Sequence, residues 1–301
     1  MNAGSTQAGG QTGLDSRALV FLFLGAAGIS LAPNFVRLSE IGPSATAFYR
    51  LFLALPVLFL WMRLEPGDSA NERPKTLRDY LGLALAGLFF AGDLALWHWS
   101  IVLTSVANAT LLANFAPIFV TIGGFLLFGE RFTRRFLLGM GCAIIGVLFL
   151  LGDSLQLGGR HLLGDALGLG TAVFYAAYII AVGRLRGRFS TATVMSWSGI
   201  ATCIALVPIA VLSGESFVAV TAFGWAVLAG LALISHAGGQ SMIAYALAHL
   251  RPAFGAVGLL LQPVLAALIA WFLFGEGLGL LQIAGACVIL AGVVLARQGS
   301  R

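Results

Sequence analysis

The sequence predicts an all-α polytopic membrane protein whose ten transmembrane helices form two inverted five-helix repeats. Three observations carry this. The 301 residues are 59% hydrophobic and only 10% charged, with a mean hydropathy of +0.96; a soluble chain carries roughly 25% charged residues. The apolar residues fall into runs of about the 20 residues that a helix needs to cross a bilayer. Finally, the stretch 117–146, PIFVTIGGFLLFGERFTRRFLLGMGCAIIG, recurs without a gap 146 positions later.

The repeat fixes the organisation, which is why internal repeats are sought first. Pro117, Leu127 and Phe128 return as Pro263, Leu273 and Phe274. Gly129-Glu130 returns as Gly275-Glu276, Gly139 as Gly285 and Gly146 as Gly292. Residues 1–16 are rich in Gly, Ser, Thr and Gln with no basic n-region, and read as a disordered tail. Residues 17–152 form the first repeat, 153–162 a connecting loop and 163–301 the second repeat. The spans are expected at 18–38, 44–62, 79–102, 107–128, 133–152, 163–184, 193–213, 223–246, 253–274 and 278–297. Each is continuously apolar, whereas barrel strands would alternate over about ten residues.

Orientation follows from the basic residues. With the N-terminus on one side, 14 Lys and Arg fall on that side, while Arg37 and Arg160 fall opposite and Arg50 lies inside a span. Basic residues accumulate on the cytoplasmic side, so both termini are expected in the cytoplasm. Arg131, Arg134 and Arg135 of the first copy become Gly277, Leu280 and Leu281 in the second. The copies share packing residues and differ in charge, as two copies facing opposite sides would. Five spans per copy is an odd number, so the copies insert upside down relative to each other. Inverted repeats are a transporter architecture, with the site near the midplane at their interface.

Several functions are excluded or weakened. The single lysine, Lys75, follows Arg73-Pro74 and no glycine-rich run, and HExxH and GxSxG motifs are absent. ATP hydrolysis within the chain is thus unsupported. The net charge of +5 comes from scattered arginines and is explained by topology, with no nucleic acid required. Cys142, Cys203 and Cys287 sit singly in apolar runs and read as packing residues; no metal or cofactor is expected. A membrane enzyme acting on lipids would need clustered acids or histidines at one interface, and the four histidines are dispersed.

Three features give the sequence a family resemblance: Gly42-Pro43 followed by Ala47-Phe48-Tyr49-Arg50, the run Thr104-Ser105-Val106-Ala107-Asn108-Ala109 leading to Asn114 and Pro117, and the duplicated Pro…Gly-Glu…Gly…Gly block. On these it resembles the drug/metabolite transporter superfamily, in its ten-helix EamA-like branch. Within that branch it looks most like bacterial inner-membrane exporters of amino acids, aromatic ones included. The resemblance implies a secondary-active or facilitative exporter working by alternating access. It also implies that the fifth and tenth helices support a cavity formed by the other eight. Export of other metabolites or organic cations is the alternative; a passive channel would lack saturable exchange.

Candidate residues follow from chemistry at membrane depth. Pro117 and Pro263 lie about mid-span, where a missing amide frees a carbonyl four residues earlier, at Ala113 and Leu259. With Gly123 and Gly258 nearby they are hinge candidates, or static bends. Glu130 and Glu276 stand just before the next helices and read as structural caps of them. Ionisable groups inside spans are functional hypotheses, and these are Arg50, Asp93, His98 and His236. Arg50 and Asp93 are expected either to pair structurally or to face an aqueous cavity in which Asp93 or a histidine meets a substrate ammonium or a coupling proton. Tyr175 and Tyr178 share a helix face with Thr171, His236 shares one with Gln240, and Gln262 shares one with Gly258. Trp97 lies close in angle to Asp93, unlike His98, and Asn108 and Asn114 add amides. Together these residues are expected to line a cavity for a small molecule, with the lipid bilayer and a coupling proton as further partners.

Overall fold

The computed structural model describes residues 16–65, 73–151, 161–274 and 279–300. Ten helical spans follow one another: α1 Ser16–Leu38, α2 Pro43–Leu64, α3 Leu77–Leu103, α4 106–128, α5 Arg134–Leu151, α6 Leu162–Leu185, α7 Thr191–Leu212, α8 Ala222–Ala246, α9 252–274 and α10 Leu280–Gly299. Among the described residues nine are long and apolar enough to cross a membrane. The other, α5, has 18 residues, which at 1.5 Å each reach about 27 Å. No strand occurs among the described residues. The expected tail (residues 1–15), most of the 153–162 loop and Glu276 lie outside the described residues.

Local chemistry sets the helix ends. Thr76 and Asp79 form a capping box at the start of α3. The hydroxyls of Ser105, Ser190 and Thr221 accept from backbone amides three residues on, starting α4, α7 and α8. Gly129 ends α4 in the left-handed conformation (φ 66°), which glycine adopts without penalty.

Several spans are broken, which continuous hydropathy does not reveal. α1 breaks at Leu31 before Pro33, and α2 at Leu53-Ala54 before Pro56. α4 divides into Val106–Ala113 and Ala116–Phe128, and α9 into Pro252–Gly258 and Leu261–Phe274. Both breaks sit just ahead of the duplicated prolines. The Leu259 carbonyl is not left free, since the Gln262 amide donates to it at 2.9 Å. In α8 the segment Leu231–Gln240 is a π-helix, a form enriched at functional sites.

The two repeats meet through α5 and α10, and here the duplicated glycines find their use. A Cβ on Gly139 would come within 2.6 Å of the Gly292 carbonyl, and one on Gly146 within 2.8 Å of the Gly285 carbonyl. Gly139 and Gly285 are equivalent positions, as are Gly146 and Gly292, so the contact is self-complementary, as a two-fold axis requires. As the chain runs from Phe136 to Leu150 its partners run backwards from Gly299 to Gly285. The two helices are therefore antiparallel, and the repeats are inverted. Farther in, Phe90 stacks on His236, its equivalent 146 residues on, at 5.4 Å and 25°. The pseudo-two-fold axis passes between these rings.

Candidate functional site

Where the two repeats meet, a cavity of about 470 Å³ opens inside the bundle. Ile29, Pro33 and Asn34 reach it from the broken part of α1, Arg50 from α2, and Phe90, Asp93, Leu94 and Trp97 from α3. From α4 come Thr110, Asn114 and Pro117; from the second repeat come Thr171 and Tyr175 on α6, Gln240 on α8, and Leu259, Gln262 and Pro263 on α9. Proline breaks in α1, α4 and α9 thus lie in its wall. Its rim residues Arg37, Ser105 and Gln282 stand at helix ends on the face opposite the N-terminus.

The face carrying the N-terminus is tied between the repeats. Arg184 at the end of α6 pairs with Glu130 after α4 at 3.4 Å, and its guanidinium lies 3.4 Å from the centre of the Phe128 ring. Arg188 pairs with Asp79 of α3 at 3.1 Å. Glu130 therefore does not cap α5: the Thr133 hydroxyl accepts the Phe136 amide there at 3.2 Å, leaving the Glu130 carboxylate to reach across to the other repeat. On the rim face, Asp165 Oδ1 accepts from Thr104 at 2.8 Å and Asn108 at 2.9 Å, joining the α3–α4 turn to α6. Glu40 accepts from the Thr221 hydroxyl and from the backbone amides of Val220 and Thr221, both at 2.9 Å.

Of the ten cavity candidates, Asp93, Trp97, Asn114, Tyr175, Gln240 and Gln262 line the cavity. Tyr178 and His236 stand behind the wall, each stacked on the lining ring of Phe90. His98 is not a cavity residue: it is wholly buried, its Nδ1 lies 2.7 Å from the Leu94 carbonyl, and the helix turn separates it from Asp93. Asn108 is withheld from the cavity by its bond to Asp165. Among the hinge candidates, Pro117, Pro263 and Gly258 lie at the breaks. Gly123 sits inside the unbroken part of α4, facing the Ile180 side chain, and is a packing position.

Arg50 departs most from expectation as a structural residue. It lines the cavity, and among the described residues no carboxylate comes within the 4.0 Å of an ion pair. Its Nε has no hydrogen-bond partner, and its guanidinium carbon lies 5.9 Å from the ring centres of both Phe90 and Trp97. Asp93 shares the cavity without pairing with it. Helical spacing alone could have found Phe90, which precedes Asp93 by three residues and Trp97 by seven. Asn34 and Gln282 each carry an amide inside an apolar run. Arg37 showed only its topological meaning, because the distance from the end of α1 to the cavity is tertiary information.

Among the described residues no group of three or more His, Cys, Asp or Glu side chains is placed to hold a metal. What the arrangement can do is hold a small molecule that carries charge and apolar surface together.

A profile of the EamA-like transporter family matches residues 16–152 and again 162–298, one match per repeat. The chain is 29% identical over 268 residues to the threonine/homoserine exporter RhtA of Salmonella typhimurium, covering 88% of this chain and 84% of that protein. It is 25% identical over 248 residues to the pseudopaline exporter CntI of Pseudomonas aeruginosa, covering 82% and 83%. An uncharacterized transporter of Archaeoglobus fulgidus is 26% identical over 263 residues, covering 86% and 89%. A crystal structure sharing 18% of residues superposes with a TM-score of 0.78 over 95% of this chain and 99% of that one, a likeness of fold alone. With both repeats matched, the chain belongs to the EamA-like transporter family of the drug/metabolite transporter superfamily.

Proposed function

We propose that this protein exports small amino-acid-like metabolites from the cytoplasm by alternating access. The observation that carries the reading is the central cavity between inverted repeats, reached from one face and tied shut at the other. A static pore would need continuity through both faces. An enzyme on lipid substrates would need reactive groups at one interface, whereas the ionisable groups here meet in the middle. Relatives named as exporters of threonine/homoserine and of pseudopaline support export of amino-acid-like cargo. The basic residues on the terminal side support a cytoplasmic location of both termini in an inner membrane. On this reading the face on which the cavity opens is the outer one, the side to which an exporter releases.

Cavity walls of Phe90, Trp97, Tyr175 and Leu259 bury apolar cargo at about 25 cal/mol per Å². Such walls discriminate weakly, since one methylene is worth only about 1–3 kcal/mol, which favours a broad set of side chains, aromatic ones included. Asp93 offers one carboxylate for which a proton and a substrate ammonium compete, and that mutual exclusion is what proton antiport requires. The test is counterflow in liposomes with radiolabelled amino acids, nucleobases and organic cations. Saturable exchange of amino acids above empty vesicles is expected; exchange confined to the other classes overturns the cargo reading. In the same vesicles Asp93→Asn is expected to abolish the response to a pH gradient, and an unaltered response removes Asp93 from coupling.

A further inference from the structure

Arg50 and Asp93 share this cavity without a direct ion pair. Arg50 is 3% exposed and Asp93 7%. A guanidinium held at membrane depth without a counter-ion is costly, and so is an unpaired carboxylate. Were their purpose structural, the cheapest arrangement would be a direct bidentate pair. The two neighbours on α2 and α3 forgo it. Arg50 Nε is buried without a partner, its guanidinium stands beside the rings of Phe90 and Trp97, and among the described residues no protein hydrogen bond is made by Asp93. Other cavity polar groups are neutral, among them Thr171, whose hydroxyl is buried without a partner, Gln240, whose Nε2 is likewise unpartnered, and Asn114, while a second cation, Arg37, stands at the rim. The position equivalent to Arg50 in the second repeat, 146 residues on, is Ser196, so the first repeat alone supplies the cation.

We propose that Arg50 and Asp93 are the two poles of a cargo site for free α-amino acids, with Arg50 taking the carboxylate and Asp93 the ammonium. This rests on the exporter reading above and adds to it which end of the cargo meets which residue. A guanidinium binds a carboxylate through two parallel N–H···O bonds, and its flanking rings keep it oriented while the site is empty. The cargo zwitterion supplies what each pole lacks, so both desolvation costs are relieved only when both ends are present. The site therefore selects against compounds with one charge. An organic cation leaves Arg50 unmatched and an organic acid leaves Asp93 unmatched. Leaving a buried charge unpaired is the costlier error. The cargo side chain then points to the aromatic and aliphatic walls.

The test compares three ligands of one side chain: phenylalanine, its methyl ester and 3-phenylpropanoate. Each competes for counterflow of radiolabelled threonine or phenylalanine, whichever is transported. In the wild type, the ester and the desamino acid are expected to compete about ten- to a hundredfold less well than the amino acid, the worth of a charge-assisted hydrogen bond. Arg50→Gln is expected to weaken the amino acid and leave the ester nearly unchanged, so that their difference collapses. Asp93→Asn is expected to do the same for the amino acid against the desamino acid. Arg50→Lys keeps the charge without the fork and falls between. Equal competition by amino acid and ester in the wild type overturns the proposal, and that comparison needs no variant to fold. So does an Arg50→Gln protein that loses amino acid and ester alike, as a structural role predicts. If none of the three ligands nor either amino acid exchanges at all, the exporter reading itself fails.

Discussion

Glu40, on the short turn between α1 and α2, ties the first repeat to the start of α8. Its carboxylate accepts first from the Thr221 hydroxyl, then from the Thr221 and Val220 amides, and these bonds hold its pKa below the ordinary carboxylate value. The folded-state pKa is thus lower than the unfolded one. The stabilisation is complete above the unfolded value and is lost as the pH falls through the folded value. Thermal unfolding in detergent is expected to show a fall in stability as the pH drops from about 5, through the ordinary carboxylate value and below about 4, that is shallower in Glu40→Gln. Equal slopes would show that the turn does not respond to this carboxylate. Such pairs reach across 181 positions in sequence, and nothing in residues 38–43 announces the partner. By contrast, Asp93 and Trp97 were legible as one face, because that relation is local to a helix. His98 beside them shows the limit: an ionisable residue at membrane depth is a functional hypothesis only until its turn of the helix is known.

At the scale of elements, two kinds of residue shape the helices: prolines that break them and glycines that let them touch. In α4 the chain turns at Asn114-Phe115 and restarts with Pro117 near the new N-terminus. Pro117→Ala restores an amide donor toward the Ala113 carbonyl, and is expected to slow counterflow turnover several-fold while cargo half-saturation changes little. An unchanged turnover would make the break a static bend. The glycines of α5 and α10 make a cleaner case. A Cβ at Gly139 would stand 2.3 Å from the Ala296 amide nitrogen, whereas one at Gly141 meets nothing within 4 Å. Gly139→Leu is expected to cost about 1–3 kcal/mol by overpacking and Gly141→Leu almost nothing, as read by melting temperature. The repeat, the ten spans and the proline positions could be read from sequence because they are periodic or punctuated by special residues. The π-helical stretch of α8 could not. A π-helix differs from an α-helix by where each carbonyl finds its donor, and Leu231–Gln240 has no composition that marks the difference.

For the whole molecule, the proposed alternating access turns on what would hold the face carrying the termini closed while the other stands open. Arg184 is half exposed and its partner Glu130 about a third, so their ion pair alone is worth about 0.2–1 kcal/mol. The guanidinium also stacks on Phe128, which adds about 0.5–1 kcal/mol at an exposed site. In the proposed alternating access they would together bias the equilibrium between the two states by roughly 1–2 kcal/mol, or about 5- to 30-fold in population. That is large enough to set the resting state and small enough for cargo to overcome, since a ligand shifts an equilibrium only by its differential affinity for the two states. A single cysteine at Ala267, in the cavity wall, reports the populations once Cys142, Cys203 and Cys287 are replaced by alanine. A membrane-impermeant maleimide is expected to label it from the rim face. Glu130→Ala should raise labelling from the face carrying the termini, and Arg184→Lys should raise it less, because lysine keeps the charge and loses the planar stack. Labelling that stays confined to the rim face in both variants would assign closure to the Arg188–Asp79 pair and to packing. The Glu130–Arg184 contact would then be a consequence of the closed face and no part of its cause.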